Sequence, residues 1–153
     1  MSRARSAPKI FRVLLPAKDL ERSRRFYETL LGTVGRTVAP GRVYFDCGPV
    51  ILGLLDFSQQ PEQEFPKPAE PIYFSVDQVE QVHVRARRLG CSLSELLHGD
   101  PKNPMGEIVV RPWGERSFYA KDPAGNPLCF VEAKSCFRGT PQQVKALRRS
   151  GGD

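Results

Sequence analysis

The run Asp19-Leu20-Glu21-Arg22-Ser23-Arg24-Arg25-Phe26-Tyr27, followed by Leu31-Gly32, decides how the first half of the chain is read. Asp19 is a good helix N-cap, since its carboxylate can accept from a backbone N–H of the first turn, and Glu21 suits the positive end of a helix. Leu20, Phe26, Tyr27, Leu30 and Leu31 recur at helical spacing, and Gly32 is the residue type that closes a helix. Upstream, the apolar run 10–17 reads as a strand. Downstream, 34–39, 42–47 and 50–56 read as three short strands separated by Pro40-Gly41 and Gly48-Pro49 turns. The first module, residues 10–57, is therefore β-α-β-β-β.

Residues 58–69 are rich in Gln, Glu and Pro, have no apolar period, and read as a linker. The pattern then restarts. A strand over 71–76 leads to a helix whose start is assigned to a capping box of Asp77 and Glu80, whose stripe is Val79, Val82, Ala86 and Leu89, and whose end is Gly90. A shift of 59 positions carries Val13 onto Ile72, Leu15 onto Phe74, Ala17 onto Val76, Leu20 onto Val79, Tyr27 onto Ala86 and Leu30 onto Leu89. Apolar meets apolar at each step, which an internal duplication explains. An irregular stretch, 91–106, precedes strands over 107–111, 116–121 and 128–133, the last two joined by Asp122-Pro123-Ala124-Gly125-Asn126. The second module thus spans 70–133. Residues 1–9 form a basic tail, and 134–153 a basic extension with a short helix opened by Thr140-Pro141.

With two such modules on the page, two strings resemble signatures of the vicinal oxygen chelate superfamily, the glyoxalase, bleomycin-resistance and extradiol dioxygenase relatives. Asp19 to Tyr27 with Leu31-Gly32 resembles its first helix. Trp113-Gly114-Glu115-Arg116 with Phe118-Tyr119-Ala120-Lys121-Asp122-Pro123-Ala124-Gly125-Asn126 is similar to its final hairpin. The resemblance covers residues 10–133 and implies an α+β fold: two tandem βαβββ modules forming a cupped, mixed β-sheet with helices outside.

In metal-dependent relatives, the resemblance implies, four strand residues pointing into the cup hold a divalent cation. Carried onto this chain, those positions are Arg12, seven residues before the capping Asp19; Gly53, on the fourth strand; Pro71, the counterpart of Arg12; and Cys129, seven residues after Asp122. A guanidinium has no lone pair to offer, and glycine and proline have no side-chain donor. No metal and no cofactor is expected. The two histidines, His83 and His98, fall outside the cup strands and read as satisfied or solvated side chains.

Alternation across strands adds Leu14, Leu55, Tyr73, Ser75 and Val131 to the cup, and the resemblance adds Ser117 and Tyr119. Trp113 falls either at the rim or under a turn. The candidate ligand-binding set is therefore Arg12, Leu14, Gly53, Leu55, Tyr73, Ser75, Trp113, Ser117, Tyr119, Cys129 and Val131, with no catalytic residue assigned. Arg12, if buried, needs an anionic ligand or a protein carboxylate, for which Glu132, Glu70 and Asp46 are candidates. Cys129 lacks a neighbouring base and reads as a buried thiol.

The net charge of +6 belongs to the ends: residues 1–9 and 134–153 hold eight of the 23 cations and one of the 17 acids, leaving 10–133 with one acid in excess. No aromatic residues interleave with those charges, so nucleic acid is not the expected partner. No apolar run is long enough for a membrane span or follows Lys9 as a signal segment, and the four cysteines have neither zinc nor CxxC spacing. A cytoplasmic homodimer is expected. Three functions remain open: a metal-independent protein that binds a small organic ligand in the cup, with Arg12 favouring an anion; an enzyme of the superfamily (lyase or isomerase, dioxygenase, thiol transferase) using acid/base groups or relocated metal ligands; and an interaction module acting through its basic tails.

Overall fold

A computed structural model describes residues 7–59, 64–66 and 70–150. Strand β1 (Arg12–Ala17) runs into α1 (Leu20–Leu31), followed by β2 (Arg36–Ala39), β3 (Arg42–Cys47) and β4 (Val50–Asp56). Asp19 caps α1 as its sequence implies, accepting from the N–H of Arg22 at 3.1 Å, and Gly32 closes it at φ 69°, a left-handed conformation that favours glycine. The second half repeats the order with β5 (Ile72–Val76), α2 (Val79–Arg88), the two-residue β6 (Val109–Val110), β7 (Arg116–Lys121) and β8 (Pro127–Glu132), and ends in α3 (Pro141–Ser150).

Each module forms its own four-stranded sheet, in the orders β1-β4-β3-β2 and β5-β8-β7-β6. In both, the first strand lies parallel to the last and the others pair antiparallel. The duplication inferred from sequence is thus an identity of topology, and the fold is α+β as expected. One core joins the modules: Tyr27, Leu30, Phe45 and Leu54 from the first pack in the same cluster as Val79, Ala86, Phe118 and Phe130 from the second. Phe74, Phe130 and Phe118 stack in a ladder with centroids 5.0 and 5.3 Å apart.

Several local expectations need correction. The capping box at Asp77 and Glu80 does not form: α2 has Gln78 at its N-cap with no side-chain cap bond, and Glu80 instead pairs with Arg116 of β7. Strand β6 is shorter than 107–111, because Arg111 turns inward and draws the Glu107 carbonyl into its own hydrogen bonds. Strand β2 begins at Arg36 rather than 34, since Gly35 is wedged where a Cβ would meet Phe45 and Val43 at 2.8 to 2.9 Å. The irregular stretch contains a 3₁₀ turn at Leu97–Gly99. At α3, by contrast, Thr140 is the N-cap that the sequence implies, its Oγ1 accepting from the N–H of Gln143 at 3.2 Å. Much of the linker, 58–69, and of the basic N-terminal tail lies outside the described residues. Among the described residues no helix is long and apolar enough to cross a membrane.

Candidate functional site

Alternation places the candidate side chains on two faces, one per sheet. On the first sheet Leu14, Gly53, Tyr44 and Arg36 lie in one cross-strand row. A Cβ at Gly53 would lie 2.5 Å from Cδ2 of Leu14 and 3.0 Å from Cε1 of Tyr44, so these two side chains close over the glycine. Arg12 is exposed. Its guanidinium sits 4.9 Å from the centroid of the Phe11 ring and 5.8 Å from that of Tyr44, a cation–π arrangement. Two of its candidate acids are engaged elsewhere: Asp46 accepts from Arg36 at 2.7 Å, and Glu132 accepts from Arg116 at 2.6 Å.

On the second sheet Tyr73, Cys129 and Tyr119 form one row, and Ser75, Val131, Ser117 and Val109 the next. The irregular segment folds over this face. The Leu93 N–H donates to the Tyr119 carbonyl at 3.2 Å, the Tyr119 N–H donates to the Met105 carbonyl at 2.7 Å, and Leu93, Met105 and Cys136 pack on Tyr119, Cys129 and Val131. Arg111 seals the cover. It is 1% exposed, and its guanidinium donates to Ser117 Oγ and to the carbonyls of Pro104, Met105, Glu107 and Ser117, while lying 5.1 Å from the Tyr119 ring centroid. Among the described residues no carboxylate pairs with it, so carbonyl dipoles, the Ser117 hydroxyl and the Tyr119 ring face solvate the buried charge.

Ser117, Tyr119, Cys129 and Val131 are consequently buried, whereas Tyr73 and Ser75 are exposed at the edge of the same face. A cavity of about 420 Å³ opens there, bordered by Tyr73, Ser75, Trp113, Val131, Cys136 and Arg138 among others. Trp113 is held at its rim by donating to Glu115 at 2.7 Å; that carboxylate also accepts from the Phe137 N–H at 2.8 Å. Glu115 is therefore occupied, and among the described residues no acid pairs with the Arg138 side chain. Four of the candidate residues meet at this cavity, and Arg12, Leu14, Gly53 and Leu55 do not border it.

Burial sets the protonation of the polar row. The Cys129 thiol is pushed up to about 12 by burial, against hydrogen bonds from Ser117 and Tyr119 and the nearby Arg111 charge that favour the thiolate. Burial likewise raises the Tyr119 phenol, with Cys129 and Tyr73 adding to the shift. Tyr73 is raised by partial burial and by Cys129 and Glu70, opposed by its hydrogen bond with Tyr119. All three stay protonated at neutral pH, and of them Tyr73 borders the cavity, where its phenol can donate to a ligand.

Arg111, Cys136 and Arg138 were not singled out from sequence. Arg111 carried a signal, a charged residue between the apolar Val109-Val110 and Pro112-Trp113. Arg138 sits in an extension read as an appendage. His83 is satisfied: its Nε2 lies 2.8 Å from the Gly106 carbonyl, and its ring packs edge-on to Phe118.

The sequence profile of the Glyoxalase/Bleomycin resistance protein/Dioxygenase superfamily matches residues 9–130. The chain belongs to this superfamily. Solved structures that it resembles include a lactoylglutathione lyase from Agrobacterium tumefaciens, 24% identical over 84% of this chain and 96% of that one with a TM-score of 0.60. A glyoxalase/bleomycin resistance protein/dioxygenase from Nocardioides is 22% identical over 90% of each chain, TM-score 0.60, and the oxidase ChaP-H2 is 22% identical over 83% of this chain and 94% of that one, TM-score 0.63. Comparison with curated proteins finds no match. At these identities the likeness carries the fold and not the chemistry.

The resemblance implies four metal-ligand positions, which fall on Arg12, Gly53, Pro71 and Cys129. They do not fit a divalent cation: Arg12 brings a positive charge, Gly53 is closed over by Leu14 and Tyr44, Pro71 has no donor, and Cys129 is a fully buried thiol held protonated. Among the described residues no three His, Cys, Asp or Glu side chains converge elsewhere.

Proposed function

We propose that this member of the superfamily is a metal-independent protein that binds a small organic anion at the mouth of the second sheet. The observation that carries the reading is the cavity of about 420 Å³ in which a phenol, a hydroxyl, an indole and an unpaired guanidinium, those of Tyr73, Ser75, Trp113 and Arg138, border the apolar Val131. Such a mixture of apolar wall and few polar groups suits a small ligand, and Arg138 suits a carboxylate. The enzyme reading is weaker on chemistry. An acid/base catalyst works best with a pKa near the operating pH, and Tyr119 and Cys129 are shifted the other way by burial.

The protein is further proposed to act as a homodimer. Ile10, Phe11 and Leu14 leave an exposed apolar strip beside Arg12, and among the described residues β1 and β5 are each the edge strand of their sheet. In such a dimer the first sheet of a second copy would bring Arg12, Leu14 and Leu55 to the ligand.

Thermal shift and calorimetry with aryl carboxylates and their matching amides test the binding reading, using tag-free protein. Carboxylates should raise the melting temperature and bind at least about tenfold tighter than amides, a charged hydrogen bond being worth about 1.5 to 3 kcal/mol, and Arg138→Ala should remove the preference. Equal binding of both classes would defeat the anion assignment. Near one equivalent of bound metal per chain, with a chelator lowering the melting temperature, would defeat metal independence.

A further inference from the structure

A second cavity, of about 410 Å³, lies on the helix side of the molecule, and none of the residues bordering the proposed ligand cavity borders it. One wall is α1, which presents Arg22, Arg25, Phe26 and Thr29; their spacing of three, four and seven residues from Arg22 puts them on one face. The opposite wall is the segment Leu89 to Cys91 that follows α2. The floor is the β7–β8 turn, with Lys121, Asp122 and Pro123.

Three cations therefore converge on one cleft, and the acids around it are occupied. Asp122 is buried and saturated: Oδ2 accepts from Tyr27 Oη at 2.8 Å and from Asn126 Nδ2 at 2.7 Å, and Oδ1 accepts from the N–H groups of Ala124 and Asn126 at 2.9 Å each. On α1, Glu21 and Glu28 are both drawn to Arg24, and Glu28 also accepts from the Gly35 N–H. Asp19 is the helix cap. Among the described residues no ion pair holds Arg22, Arg25 or Lys121. Like charges three residues apart on a helix repel, so Arg22 and Arg25 carry a cost that a bound anion relieves.

We infer that this cleft binds a phosphate monoester of a small organic group. A phosphate monoester brings about 1.5 to 2 negative charges and three acceptor oxygens, which matches two guanidinium forks, an ammonium and the Thr29 hydroxyl better than a single carboxylate does. The rest of the cleft is apolar, formed by the edge of Phe26, the partly exposed Leu89 and Pro123. The ester's organic group lies there. Concavity favours a small molecule over a flat polyanion surface.

The test uses adenosine 5′-monophosphate as probe, with adenosine and inorganic phosphate as its separate halves, titrated into isotope-labelled full-length protein at low and moderate salt. The monophosphate is expected to shift the amides of Thr29, Gly90 and Lys121 and to leave those of Tyr73 and Ser75 unmoved, so this result stands or falls apart from the ligand cavity on the second sheet. It should bind at least about tenfold tighter than either half and weaken as salt rises. Arg25→Ala and Lys121→Ala should each weaken it about tenfold, with the melting temperature unchanged because both side chains are exposed. The inference is overturned if the shifts fall outside the cleft, if inorganic phosphate binds as tightly as the monophosphate, or if the Arg25→Ala/Lys121→Ala double variant binds it unchanged.

Discussion

The phenol of Tyr27, on the helix of the first module, donates a 2.8 Å hydrogen bond to the carboxylate of Asp122, in the final turn of the second, 95 positions along the chain. Both residues are buried, at 0% and 4% exposed. The same carboxylate ties its own turn through Ala124 and Asn126, and Asn126 Nδ2 reaches back to the Pro16 carbonyl at 2.9 Å. The two strings by which the superfamily is recognised are thus bonded to each other across the module interface. Tyr27→Phe removes one donor from a buried charge and should cost about 1.5 to 3 kcal/mol in urea unfolding; Asp122→Ala, which strands four donors, should cost more. A Tyr27→Phe protein as stable as the parent would show that the bond contributes nothing beyond packing.

Arg111 makes a second prediction, because it is the buried cation of the second sheet. The carbonyls of Pro104 and Glu107 accept from its guanidinium, and the segment over Tyr119 and Cys129 is held in part through these bonds. Arg111→Met keeps the volume and leaves those acceptors without a donor, so a loss of about 2 to 4 kcal/mol is expected, with faster proteolysis inside the irregular segment 91–106. Arg111→Lys should fall between, since a point ammonium cannot reach a fork's spread of acceptors. Unchanged protease resistance in Arg111→Met would show that apolar packing by Leu93 and Met105 holds the cover by itself.

The contrast between Arg111 and Arg12 shows where sequence stopped being informative. Periodicity located α1, which buries one face and exposes the other, and short runs bounded by turn residues located β3, β4 and β7, whose central residues are buried on both faces; both signals, like the alternation of side chains along a strand, are local. The same alternation put Arg12 and Tyr73 on the faces they occupy. What covers a face is not local: the segment over the second sheet has no apolar period, and it is fixed by carbonyls that meet only around Arg111. Tyr73, Ser75, Trp113 and Val131 are candidates from sequence that border one cavity, while Arg138, which borders it too, is not a candidate from sequence, since its place follows from how the extension packs on the folded module.

Two glycines give a paired test of that cover. A Cβ on Gly106 would run into the backbone oxygen of Leu93, which cannot move without lifting the segment off the sheet. Gly106→Ala should cost about 2 to 3 kcal/mol or more. At Gly53 the nearest atom is the end of the exposed Leu14 side chain, which can rotate aside, so Gly53→Ala should cost about 1 kcal/mol or less. Chemical denaturation of the two variants measures the difference, and the reverse order would mean that the first sheet's face is the more rigid.

Alkaline pH offers the last prediction, since burial raises several groups together. Cys129 is pushed from 9.0 up to about 12 and Cys91 from 9.0 up to about 11, both chiefly by burial, and Tyr27 is raised by burial and by Asp122. In the unfolded chain the thiols lose their protons near their ordinary values, while the folded protein keeps them, so the native state binds more protons and unfolding becomes easier as pH rises. The stabilisation is complete below pH 9 and is lost through about pH 11 for Cys91 and about pH 12 for Cys129. Each fully retained proton contributes a slope of about 1.4 kcal/mol per pH unit. Urea unfolding in the presence of a reductant, from pH 8 to 10.5, should show stability level at first and then falling. Cys129→Ala costs stability at pH 8 by leaving a small cavity, yet it should flatten the alkaline fall by close to one proton. An unchanged slope in that variant would mean that Cys129 titrates in the folded protein as it does in the unfolded chain, and that the polar row beneath Tyr73 is open to water.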